Sequence, residues 1–239
     1  MTNTAIVEAR RARFQVVKTP DRDPTKFYTK GEEIANAVTH GAGALLGVVG
    51  TAVLATLCAV HGSAAGVAIS LVYGMSLIIL YTMSTLYHAV PQEAVKRRLR
   101  VCDHSTIFLL IAGSYTPFLL VLLRGGVKGP LLCALLWVLA AAGIVLNLIS
   151  IDRFAVVSMI LYVGMGWAAL WTLRDLVRAM PAAGTALLFL GGVCYTGGIV
   201  FYAVKKRWMH SIWHLFVLAG SALHFACIAA YVLPQLYVH

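Results

Sequence analysis

The sequence predicts an all-α membrane protein, a seven-helix transmembrane bundle, and three observations predict it. The chain is 60% hydrophobic and only 12% charged, with a mean hydropathy of +0.84, about half the charge of an ordinary soluble domain. Its charge-free runs reach the roughly 20 apolar residues that a helix needs to cross a bilayer. No run shows the strict alternation of a membrane barrel strand, so helices must satisfy the backbone in lipid.

Taken in order, residues 1–31 are polar and basic, lack the apolar core of a cleavable signal, and read as a disordered cytosolic tail. A single membrane domain, 32–239, takes up the rest. Runs free of Asp, Glu, Lys and Arg cover 34–92, 104–123, 129–151, 154–173, 179–204 and 208–239. The first is long enough for two spans and breaks at "HGSAAG", residues 61–66, where small residues make a turn. Seven spans follow, near 38–60, 67–90, 104–123, 129–150, 154–174, 182–204 and 211–233.

Basic residues set the orientation. Seven lie in the tail, four in the second loop, one in the fourth and three in the sixth, 15 of the 19 Lys and Arg residues. By the positive-inside rule the N-terminus is cytoplasmic and the C-terminus outside, the reverse of a G-protein-coupled receptor. The net charge of +10 is scattered over short loops, which fits a membrane surface and not nucleic acid. Five widely spaced cysteines without a CxxC pair exclude a disulfide framework or a cysteine metal cluster. Glycines in "GAGALLG" (Gly43 and Gly47) and "GGVCYTGG" are read as close helix packing. No Walker loop, nucleotide fingerprint or G-x-S-x-G elbow is present.

The remaining polar residues carry the chemistry, because ionisable groups in a span are costly. Ser84 and His88 in "STLYHAVP" lie four apart on one helix face, as do His210 and His214 in "WMHSIWHLFVLAG". Asp103 and His104 open the third span. The spans alternate in direction, so His88, Asp103, His210 and His214 fall at one membrane depth. Histidines at i and i+4 can share a metal ion through neutral imidazole nitrogens. Three histidine ligands would leave a zinc site open for an acidified water. Asp103 could orient that water or take its proton, and Ser84 could hydrogen-bond it. The plainer alternative is that such histidines are interhelical hydrogen-bond donors. His40 is a reserve ligand, and His104 points about 100° away from Asp103 around the helix. His224, about 15 Å further along the last helix than His214, is assigned to packing, and His61 and His239 to solvent.

The stretches "EEIANAVTHGAGALLG", "STLYHAVP", "DHSTIFLLIAGSYTPF", "MGW" and "GGVCYTGGIVFYAVKKRWMHSIWHLFVLAGSALHF" resemble the hemolysin III family, bacterial members of the progestin and adipoQ receptor superfamily. The likeness runs from about residue 32 to 233. It implies seven helices with a cytoplasmic N-terminus, in the bacterial inner membrane. It also implies a Zn2+ ion held by His88, His210 and His214, with Asp103 at the zinc water and Ser84 beside it. Ceramidase-like relatives in the superfamily make hydrolysis the implied chemistry, on a lipid amide or ester, with membrane lipids as partners. The longer cytosolic region of the animal receptors is missing, so hormone signalling does not carry over. The competing expectations are a non-enzymatic sensor with structural zinc and a pore-forming cytolysin. A pore calls for a continuous polar stripe, and the outer halves of the spans read as nearly all apolar.

Overall fold

The computed structural model describes residues 28–237, all of whose regular structure is helical. The helices are α1 (Lys30–Val60), α2 (Ala64–Ala89), α3 (Glu93–Pro117), α4 (Lys128–Ser150), α5 (Ala155–Gly166), α6 (Leu173–Ala179), α7 (Ala182–Ala203) and α8 (Met209–Cys227). A 3-10 turn, Ala168–Thr172, joins α5 to α6 into one span. The described residues thus hold seven helices long and apolar enough to cross a membrane. The large aliphatic side chains left exposed on them, such as Leu45, Val138, Ile160 and Val200, would face lipid in a bilayer.

Several ends differ from the sequence expectation. The first span begins eight residues earlier than expected, at Lys30, so the boundary of the tail at residue 31 falls inside a helix. Thr29 and Glu32 form a reciprocal capping box there, with Glu32 Oε2 accepting the Thr29 N–H at 2.8 Å. The third span was expected at 104; the helix starts at Glu93 and carries "EAVKRRLRVC" as its first turns. Its basic residues had marked it as loop, yet such residues are good helix formers. Residues 1–27, and with them most of the expected tail, lie outside the described residues, as does His239.

The break at residues 61–63 is confirmed: Gly62 takes φ 71° and the Ser63 hydroxyl caps the Gly66 N–H at 3.0 Å. His61, expected in solvent, stacks on Tyr237 with ring centroids 4.1 Å apart. Past Pro117, which lacks an N–H, α3 continues as a π-helical turn to Leu122; α8 ends similarly through Ile228–Val232.

The small residues allow close approach. A Cβ on Gly43 would come within 2.8 Å of Leu218 and the Tyr81 ring, so α1 packs tightly against α2 and α8 there. Gly191 and Gly198 do the same for α7 against His224 and Trp213 of α8. All five cysteines are free, with Cys58, Cys133 and Cys227 buried as packing residues. His224 also packs, its Nε2 3.1 Å from Leu188 O. The third helix is the hub, with α2, α4 and the α5 span around it and Phe108, Leu119 and Leu136 in the core.

Candidate metal centre

Two helices bring three histidines to one point near the N-terminal end of α1. His88 comes from the last turn of α2, and His210 and His214 from the first turns of α8. One ligand nitrogen from each lies within 4.8 Å of the others. His210 Nε2 and His214 Nε2 are 3.1 Å apart, close enough to share one ion or one proton. His88 Nε2 is buried without a hydrogen-bond partner, which is costly unless something occupies it. An orphaned imidazole nitrogen beside two that face each other fits a cation, and the all-imidazole donor set suits zinc among other transition metals.

The start of α8 is fixed by a contact the sequence reading missed. Trp208 adopts a left-handed conformation, φ 66°, and its N–H donates to Glu32 Oε1 at 2.7 Å. The same carboxylate serves the α1 cap, so one side chain anchors both helix starts. Asn36 accepts a hydrogen bond from Ser211 Oγ at 2.6 Å, tying α1 to α8 between the two histidines. Glu33 reaches His88 Nδ1 at 2.7 Å. The available signal was spacing: Glu33, Asn36 and His40 recur at i, i+3 and i+7, one face of a helix.

His40, the reserve ligand, stacks on His214 with ring centroids 3.6 Å apart and an interplanar angle of 11°. Both its ring nitrogens are buried and unpartnered, but it does not belong to the 4.8 Å group. Asp103 is also outside that group. His104, expected to point away from Asp103, lies with Nδ1 3.6 Å from Asp103 Oδ2 and 2.9 Å from Arg100 O, and with Nε2 3.2 Å from the Tyr202 hydroxyl.

Asp103 and Ser84 instead line a cavity of about 130 Å³ together with His40 and His214. It runs between α2, α3, the α5 span, α7 and α8, as far as Ser114 and His224. From Asp103 to Ser114 is about 16 Å along α3 at 1.5 Å per residue. Beyond the site end its walls are mainly apolar: Leu80, Ile107, Leu110, Ile111, Val163 and Ile199. The wall next to Asp103 is braced by a buried network that the sequence reading did not find. Ser158 Oγ donates to Asn147 Oδ1 at 2.8 Å, Asn147 Nδ2 to the Tyr162 hydroxyl at 3.4 Å, and that hydroxyl to His104 O at 2.6 Å.

Fold and site together define a multi-pass membrane protein with a tri-histidine cluster, one member of which, His214, lines a mainly apolar cavity. Comparison with known proteins makes that class specific. Residues 28–225 match the family described as Haemolysin-III related. The chain is 43% identical to Hemolysin-3 of Bacillus cereus, over 85% of its own length and 93% of that protein. It is 42% identical to the Hemolysin-3 homolog of Bacillus subtilis (strain 168), over 86% and 96%. A human protein, Monocyte to macrophage differentiation factor, is 30% identical over 84% of both chains. The chain belongs to the haemolysin-III-related family.

Proposed function

We propose that the chain is a zinc-dependent hydrolase that cleaves an amide or ester of a membrane lipid inside the bundle. The observation that carries this reading is the cavity: His214, Asp103 and Ser84 line one pocket whose walls are mainly apolar. His88, His210 and His214 would hold the ion. Zinc held by three histidines acidifies water and polarises a carbonyl.

The protein's own groups supply the rest. The apolar walls take an acyl chain out of the bilayer and align it with the carboxyl or amide group at the polar end. Asp103, as a carboxylate facing the cavity, accepts the proton of the attacking water and returns it to the leaving group. Ser84, 1% exposed, donates its hydroxyl hydrogen to the developing negative charge on the substrate oxygen. The charge tally supports a cytoplasmic N-terminus and, with it, a site in the inner half of a bacterial cell membrane. A reporter fused after His239 then reads extracytoplasmic, and one inserted after Gln92 cytoplasmic.

Asp103→Asn tests the mechanism. The variant should keep its zinc and its thermal midpoint, while release of fatty acid from lipid amides falls by about 10²–10⁴-fold. Loss of zinc would make Asp103 a ligand; unchanged release would remove it from the mechanism. A second reading, a membrane-permeabilising protein, draws on the names of the bacterial relatives. Dye release from liposomes that is equal for wild type and Asp103→Asn, without fatty-acid release from either, would favour it.

A further inference from the structure

Behind His88 stands a pair of charges that no ligand set uses. Glu33 of α1 places Oε2 2.7 Å from His88 Nδ1 and Oε1 2.8 Å from Lys96 Nζ of α3. Lys96 is only 7% exposed. A lysine near a membrane surface ordinarily extends its ammonium group to water. This one turns inward, over the Tyr87 ring at 5.1 Å, onto a carboxylate already committed to an imidazole. Burying that ammonium group is costly unless it is paired, and Glu33 is the pairing.

The contact decides which nitrogen His88 offers. A carboxylate at 2.7 Å makes Nδ1 the N–H donor, which leaves the lone pair on Nε2. Nε2 is the buried nitrogen without a partner. The Asn36 amide nitrogen also approaches Nδ1, but at 3.5 Å, the outer limit for such a bond. Its amide oxygen is held by Ser211. The carboxylate therefore sets both the tautomer and the plane of the ring. By contrast, His214 Nδ1 is buried without a partner.

We propose that Glu33 and Lys96 are positioning residues of the metal centre. Glu33 orients His88 and fixes its Nε2 lone pair toward the other two histidines. Lys96 holds the second oxygen of Glu33 and supplies the countercharge. In this way α3 contributes to metal affinity without providing a ligand. The inference rests on the tri-histidine metal reading and goes beyond it in assigning the residues behind the ligand.

The experiment is zinc competition against a chromophoric chelator, on the purified full-length chain in detergent, with the metal-free thermal midpoint measured alongside. Glu33→Gln should weaken zinc binding by about 10–100-fold and also lower that midpoint, because it leaves the buried Lys96 ammonium unpaired. Lys96→Met, which keeps the aliphatic stem, should weaken it by a smaller factor, and Lys96→Arg should restore most of the loss. The double variant Glu33→Gln, Lys96→Met should bind no more weakly than Glu33→Gln alone, because Lys96 acts through Glu33. Wild-type protein that binds no zinc would sink the metal reading and this inference with it. Tight binding by wild type and equally tight binding by Glu33→Gln would overturn the inference alone. Should Glu33→Gln fail to fold, unchanged affinity in Lys96→Met overturns it instead.

Discussion

The third span and the fifth and sixth are all apolar enough for a bilayer, yet the protein treats them differently. In the third span 67% of the apolar window is buried inside the protein, against 17% in the fifth and 11% in the sixth. The third span sits among α2, α4 and the α5 span, whereas α7 packs mainly against α8. The fifth is also broken, with Gly164 and Gly166 ahead of a 3-10 turn, and an added Cβ at either glycine would meet nothing within 4 Å. The well-packed side carries His88 and the groups behind it. The sparsely packed side forms the cavity wall between Asp103 and the lipid. The proposed function, with fixed ligands and a mobile apolar substrate, would call for this division, since parts that open come from the less tightly packed elements.

The comparison is sharpened most by removing ligands. His210→Ala and His214→Ala should each lose most of the bound zinc, because one missing ligand weakens binding far more than the 10–100-fold typical of an outer group. Thr196→Ala, on the cavity wall of α7, should keep it. Metal analysis of the purified variants checks both. Next comes the cavity: Gly192 lines it, with open space where its Cβ would stand. Gly192→Phe should leave zinc untouched and cut lipid hydrolysis by roughly 10–100-fold, by displacing the acyl chain.

The smallest effects come from a pair of glycines, read as thermal midpoints in detergent. A Cβ on Gly74 would collide with the Thr51 side chain, so Gly74→Ala should destabilise by about 1–3 kcal/mol. Gly164→Ala, in open space on the fifth span, should stabilise by about 0.5–1 kcal/mol through reduced backbone entropy. Equal shifts would mean that the two sides are packed alike.

The seven spans were legible in the sequence because charge is expensive in lipid, so its absence over 20 or more residues has one economical explanation. The histidines were legible for the same reason, since polar side chains stand out against apolar runs and helix periodicity places them. Glu32, Glu33 and Lys96 were not legible. They were counted among the charges that mark where spans stop, and charges at span ends ordinarily face water. Here they turn inward, and only the packing of α1 against the α2–α3 connection and the start of α8 shows it. Asn147 stayed hidden because a single amide in an apolar run has no spacing to betray its partners. Ser158 and Tyr162 lie on a different helix.

The contact between Glu32 and Trp208 has a consequence for the order in which the protein is made. His88 and His210 lie 122 positions apart in the chain, an interval of roughly 6–24 s at synthesis rates of about 5–20 residues per second. During that time α1, α2 and α3 can assemble Glu33, His88 and Lys96, but they hold only one of the three clustered histidines. The Glu32 oxygen meant for Trp208 has no partner until the last helix arrives. On the proposed metal reading, capture of an ion would be a late event in biogenesis, since a chain stalled before α8 has one of the three clustered histidines.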